Sequence, residues 1–148
     1  MDLQIEYLNS NDIEQYKSLI DECFGNSNSM EQYKMKYTES NNNYHILVAK
    51  HEGKIIGSIT FYKIDLFTFS FQPALEIFNV AVLKEYRGKK IAKQLFEFII
   101  NYAKENNYKS ISLTCLDTAY DAQHLYESLG FKKTSSIKYG LNINEKEG

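Results

Sequence analysis

The ten residues from 84 to 93 carry five basic side chains and a single acidic one. They follow a run rich in apolar residues, 77–82, that is typical of a strand, and they lead into a helical pattern after Gly88. A strand that feeds a short turn and a helix leaves backbone N–H groups unpaired at the start of the helix. Because those groups, the helix dipole and clustered cations suit a phosphate, the segment indicates an anion site. The alternative is an ordinary strand-to-helix connection whose first turn is basic and solvated.

Several other kinds of site are not indicated by the residue types. The sequence lacks both the Gly-x-x-x-x-Gly-Lys-Ser/Thr phosphate loop and the Gly-x-Gly-x-x-Gly dinucleotide fingerprint. Its His, Cys and Asp residues have no spacing typical of a metal site, so we expect no metal. No Cys-His-Asn or Ser-His-Asp arrangement is evident, so the pattern does not predict a nucleophilic triad.

Alternating and helical hydrophobic patterns predict the elements that position the basic segment. Two strand-like runs are joined by His51-Glu52-Gly53, which is a hairpin signal, and later strands interleave with helices. The predicted fold is α/β (α+β), with a mixed, mostly antiparallel central sheet flanked by helices in the order β-α-α-β-β-β-α-β-α-β. We expect strands at 3–8, 44–50, 54–64, 74–83, 111–116 and 131–143, and helices at 13–23, 30–37, 88–105 and 122–129.

Length and composition indicate one soluble domain that spans residues 1–148. Of the 148 residues, 43% are hydrophobic and 24% are charged, which is typical of a globular chain. The net charge of −2 argues against a dedicated nucleic-acid binder, and no apolar run is long enough to span a bilayer. Two cysteines make no disulfide framework and no signal-peptide pattern is present, so we expect a cytoplasmic protein with no membrane partner.

Two segments have distinctive residue patterns: residues 80–82 with 87–93, after a strand, and Leu125-Tyr126-Glu127-Ser128-Leu129-Gly130-Phe131. Together they resemble the motifs of one enzyme family, the GCN5-related N-acetyltransferases (the GNAT superfamily). The second segment, 125–131, is similar to the family's later motif, a helix with Leu-Tyr-Glu-x-x-Gly-Phe. The two segments lie in the family's order with a strand between them, and the resemblance covers residues 74–133 well. The first segment resembles the acetyl-CoA-binding motif, Arg/Gln-x-x-Gly-x-Gly/Ala after a strand, and comprises Val80, Ala81, Val82, Arg87, Gly88, Lys89, Lys90, Ile91, Ala92 and Lys93.

The resemblance implies acetyl transfer from acetyl-CoA, the co-substrate, to a primary amine of a small molecule or a protein. It implies that residues 80–93 bind the cofactor, mainly through backbone N–H groups that contact its phosphates. Lys90 stands where the motif has its first glycine, but it retains the N–H group. Ala119 stands where many members have an asparagine, so that side-chain contact to the cofactor is either lost or supplied by Asp117 or Thr118.

Acylation of an amine also needs a base, an oxyanion donor and an acid. A lysine-like amine has a pKa of about 10.4, so it must lose a proton before it attacks. A strand-edge N–H near Val80 would stabilise the oxyanion. The resemblance implies that Tyr126 lies near the cofactor sulfur and protonates the leaving thiolate. Glu76 is the candidate base, since alternation predicts that it shares a face with Phe78 and Val80. The alternatives are that Glu76 faces solvent or that a water held by backbone carbonyls acts as the base.

The acceptor is expected to contact the first part of the chain. Residues 1–43 carry eight acidic and three basic side chains, and in the family this segment walls the acceptor side. An acidic wall would favour a cationic small-molecule amine, and an edge strand near the C terminus would permit a homodimer. The alternative function is a non-catalytic acyl-CoA-binding sensor or regulatory module, because the same basic motif would serve both.

Overall fold

The computed structural model describes residues 1–39 and 42–144. The chain divides into two compact units, Met1–Leu116 and Asp117–Gly148. The helices are α1 (Ile13–Phe24), α2 (Met30–Thr38), α3 (Ile91–Glu105) and α4 (Tyr120–Ser128). The strands are β1 (Gln4–Tyr7), β2 (Tyr44–His51), β3 (Lys54–Ile64), β4 (Ala74–Val82) and β5 (Ile111–Ser112). The first unit therefore contains all five of these strands with α1, α2 and α3, and the second contains α4.

The five strands form one sheet in the spatial order β1-β2-β3-β4-β5. The first four pair antiparallel, whereas β4 and β5 are parallel. This confirms the predicted class, an α/β fold with a mixed, mostly antiparallel sheet. The predicted hairpin is also present, and its turn residues Glu52 and Gly53 have positive φ angles of 50° and 78°. Two consecutive positive φ angles match the right-handed twist of the flanking strands, which is why the turn includes glycine.

The alternation of β3 gives its two faces different helical partners. Phe61 is fully buried, and its ring lies 5.3 Å from that of Tyr102 in α3. The face of Thr60 and Tyr62 instead lies on the side of α1. Burying one large apolar side chain stabilises a fold by about 1.5–3 kcal/mol, so the apolar stripe of α3 anchors the segment that follows the basic turn. The buried residues of that stripe are Ile91, Leu95, Phe96, Ile99 and Ala103.

The final strand predicted at 131–143 is wrong, because residues 131–144 form no strand in the part of the chain that is described. The alternation that suggested it is real, since apolar and other residues alternate from 137 to 143. The four large side chains are nevertheless 77% to 90% exposed. Alternation shows which face a strand would bury, but a strand also needs a neighbour with which its backbone groups can pair.

Candidate active site

A β-bulge interrupts β4 at the centre of the predicted site. Thr60 of β3 pairs with Phe78, but the next aligned pair is Ser58 with Ala81, so β4 has one extra residue. The φ angle of Asn79 is 54°, in the left-handed region. A bulge bends the strand and shifts its alternation by one residue. The expectation that Glu76, Phe78 and Val80 share a face therefore fails at Val80, although Glu76 and Phe78 do share one.

The outer edge of β4 is open beyond Glu76. Strand β5 pairs only with Leu75 and Glu76, so it is shorter than the strand predicted at 111–116. No other strand pairs with this edge within residues 1–39 and 42–144. Because β5 pairs ahead of the bulge and not after it, the bend in β4 accounts for the early end of the pairing.

Backbone hydrogen bonds show which groups of β4 point to this open edge. Leu83 donates its N–H to the carbonyl of Ile56 in β3 at 2.9 Å, so Val82 directs its N–H and carbonyl to the opposite edge. The Val82 carbonyl accepts from Arg87 Nε at 3.0 Å and from Cys23 Sγ at 3.6 Å. The same alternation turns the N–H of Val80 to the open edge. This is the orientation that an oxyanion donor at Val80 requires.

The basic turn follows directly from this edge. Gly88 and Lys90 both have positive φ angles, 79° and 63°, and α3 begins at Ile91. The first intrahelical bond runs from Gln94 N–H to the Lys90 carbonyl, and the Lys90 side chain does not cap the helix. The N–H groups of residues 91–93 therefore have no intrahelical acceptor.

The cations of this turn are accessible. None of the basic side chains at 84, 87, 89, 90 and 93 makes an ion pair within the described residues, and all five residues are exposed. Lys89 Nζ lies 5.5 Å from the ring centre of Tyr86. Free amides and unpaired cations in one turn make an anion-binding geometry, which favours the anion-site interpretation over a plain connection.

The second unit carries the later motif. Tyr126 is half-buried near the end of α4, with its ring centre 6.1 Å from that of Phe131. Gly130 has a φ angle of 99°, and the N–H of Phe131 bonds to the Tyr126 carbonyl at 3.0 Å, which ends the helix as glycine commonly does. Asp117 is exposed, and its carbonyl accepts from Gln123 Nε2 at 3.0 Å. The roles of Asp117 and Tyr126 stay predictions.

A cavity of about 480 Å³ lies in the first unit between α1, α2 and the sheet. Its lining is rich in tyrosine, a convergence that the sequence analysis did not predict. All six lining tyrosines lie within helices or strands predicted from the sequence, but nothing local indicated that they meet. The lining residues are Tyr7, Leu8, Ile13, Tyr16, Ile20, Asn28, Tyr33, Lys36, Tyr37, Asn42, Tyr44, His45, Ile46, Thr60, Tyr62 and Asn79.

The acidic residues of the first segment do not wall this cavity. Its described lining includes residues from 7 to 42 but no carboxylate, so the acidic wall expected from the charge count is wrong there. Asp12 Oδ2 instead lies 2.5 Å from Lys50 Nζ, and Asp21 Oδ2 lies 2.5 Å from Lys17 Nζ. These carboxylates are used in ion pairs of the fold, which a count of charges along the chain does not reveal.

Burial shifts the pKa values of several groups around the cavity. It raises the pKa of Tyr16 to about 12, although the Thr60 hydroxyl counteracts part of the rise. It also lowers the pKa of His45 below 6.5. The His45 ring packs 5.2 Å from that of Phe61, on the sheet face that contacts α3. The imidazole therefore packs in an aromatic cluster on that face, although His45 is also a lining residue of the cavity.

The sequence matches the family described as the acetyltransferase (GNAT) family over residues 13–131. This chain belongs to the GNAT acetyltransferase family. The match spans both motifs that resembled the family, so that prediction is confirmed. Among the described residues, this GNAT protein has no helix long and apolar enough to cross a membrane and no cluster of three or more His, Cys, Asp or Glu residues suited to a metal ion.

The chain is also similar to individual proteins of known name and to solved structures. The chain is 34% identical to human N-acetyltransferase 8B over 87 residues, which is 59% of this chain and 38% of that protein. It is 33% identical to N-acetylaspartate synthetase of Xenopus tropicalis over 94 residues, 64% of this chain and 33% of that one. It covers less than half the length of these relatives. A structure titled as a transcriptional regulator from Bacillus halodurans C-125 is 25% identical with a TM-score of 0.83, covering 96% of this chain and 100% of the other.

Proposed function

We propose that this protein is an N-acetyltransferase that moves an acetyl group from acetyl-CoA to a primary amine. One arrangement carries the proposal: the open edge of β4, with outward N–H groups at Val80 and Val82, leads directly into the basic turn at 84–93. An extended, amide-bearing molecule with an anionic end fits such an edge and turn. Family membership supports acetyl-CoA as that molecule.

In the proposed reaction, each of three residues of this chain has its own role. The ammonium of the acceptor loses a proton to a base, and the amine nitrogen bonds to the acetyl carbon. The nitrogen loses its second proton to solvent as the carbon–sulfur bond breaks, so that a neutral amide forms. The Val80 N–H donates to the oxygen on which negative charge develops. Tyr126 returns a proton to the departing thiolate. Glu76 pairs across the sheet with Tyr62, a lining residue of the cavity, and this position supports it as the base, acting directly or through a water.

The direct test is a thiol-release screen with acetyl-CoA and a panel of amines, amino acids, antibiotics and peptides. In this screen, Tyr126→Phe should lower kcat by about 100-fold, because the phenyl ring cannot donate a proton. The same substitution should leave the Kd for CoA unchanged, which calorimetry measures. Unchanged kcat in the variant would remove Tyr126 from the mechanism.

A non-catalytic acyl-CoA-binding module is the second candidate. The similar structure from Bacillus halodurans C-125 favours it, since that protein is described as a transcriptional regulator. Binding of CoA without thiol release on any acceptor would support this module and overturn the transferase.

A further inference from the structure

The cavity of the first unit reaches the part of β4 where acyl transfer would occur. Asn79, at the bulge, is one of its lining residues, and it directly precedes Val80. Strands β1 to β4 line the sheet side of the cavity, and α1 and α2 line its helical side. If the proposed function is right, a molecule seated in this cavity can present its amine beside the open edge of β4. What lines the cavity then decides which amines are accepted.

Aromatic side chains make most of the large surfaces of the cavity. The rings of Tyr44 and Tyr62 lie 5.5 Å apart on the sheet side, and those of Tyr16 and Tyr33 lie 6.0 Å apart on the helical side. Tyrosine rings stack on flat apolar groups, and their hydroxyls still offer hydrogen bonds. Thr60, a lining residue that is only 3% exposed, adds a hydroxyl. Such walls suit an acceptor with an aromatic or other bulky apolar body.

The charge of the described lining also limits which ligands can bind. Lys36 of α2 is its one formally charged side chain at neutral pH, and no carboxylate is present to balance it. Within the described residues Lys36 makes no ion pair, whereas the ammonium of Lys17 is paired with Asp21. An uncompensated cation at the rim of a cavity attracts an anionic group and disfavours a second cation on the ligand.

We propose that the acceptor is a primary amine that also carries a carboxylate and a bulky apolar group, as an aromatic amino acid does. Lys36 binds the carboxylate, the tyrosines contact the apolar body, and the amine lies toward Asn79. This inference rests on the proposed function, and it differs from the cationic small-molecule amine that the charge of residues 1–43 suggested. Lys36 is thereby a specificity-determining residue.

The test compares matched acceptors that differ only in the carboxylate: phenylalanine with phenethylamine, and tyrosine with tyramine. Wild-type kcat/KM should be higher for each amino acid than for its decarboxylated partner. Lys36→Gln should raise KM for the amino acids by about fivefold, the size expected for a partly solvated ion pair. It should leave KM for the two amines within about twofold. Lys36→Glu should make kcat/KM higher for each decarboxylated amine than for its amino acid.

Lys34→Gln is the matched control, because Lys34 is exposed on the same helix but does not line the cavity. Lys34→Gln should leave KM unchanged for both the amino acids and the decarboxylated amines. Equal losses for both classes in Lys36→Gln, or transfer by wild type to the amines in preference to the amino acids, would overturn the assignment and leave the transferase intact. Absence of thiol release with every amine would overturn both proposals.

Discussion

Gly57 is the position where a single added methyl group should report on the contact between the sheet and α3. It lies in β3, and a Cβ atom there would come 2.9 Å from Cγ2 of Ile91 and 3.2 Å from the backbone oxygen of Ala81. The first atom belongs to a buried, packed side chain at the start of α3, and the second belongs to the neighbouring strand. Neither can rotate away, so Gly57→Ala must displace backbone.

The expected cost follows from two opposing effects. Overpacking by one methyl group in a core costs about 1–3 kcal/mol, whereas replacing glycine returns about 0.4–1 kcal/mol by restricting the unfolded chain. The free energy of unfolding should therefore fall by about 1–2 kcal/mol. At about 2–4 °C per kcal/mol for a chain of this size, Tm should fall by about 3–6 °C.

Scanning calorimetry measures this change, and titration with CoA in the same variant measures its consequence for the turn. Because Ile91, the first residue of α3, lies within the basic turn at 84–93, displacement of α3 should also weaken CoA binding severalfold. Gly140→Ala is the control, since no atom lies within 4 Å of its added Cβ. Its Tm should match that of wild type. A Gly57→Ala protein that unfolds at or above the wild-type Tm would refute the packing argument.

Two further predictions concern backbone strain and pH. Lys90→Gly should raise the free energy of unfolding by about 1 kcal/mol relative to Lys90→Ala, because only glycine adopts a φ of 63° without strain; equal stability of the two variants in urea would contradict this. Burial raises the pKa of Tyr16 to about 12, so the folded state retains a proton that the unfolded state loses above its reference pKa of about 10. The free energy of unfolding should therefore fall by about 1.4 kcal/mol per pH unit between these two pKa values. Tyr16→Phe should remove this contribution to the pH dependence, as measured by urea unfolding. An unchanged pH dependence in the variant would refute the assignment.

The sequence by itself determined the features that depend on neighbours along the chain. The hairpin turn at 51–53, the apolar stripe of α3 and the glycine that ends α4 each follow from local conformational preference or from helical spacing. The basic turn at 84–93 was predicted for the same reason, since a strand, turn and helix are consecutive. These local patterns also carried both motifs of the family that the match over residues 13–131 confirms.

Tertiary structure alone decided the features that depend on pairing between distant segments. The bulge at Asn79 is a mismatch between β4 and β3, so alternation within β4 could not reveal that Val80 departs from the face of Glu76. The tyrosine-lined cavity combines residues from two helices and four strands. The carboxylates near it pair with Lys17 and Lys50 and do not line the cavity. Local sequence sets which residues a strand or helix can bury, but only the packed chain sets which charges face each other and which remain for a ligand.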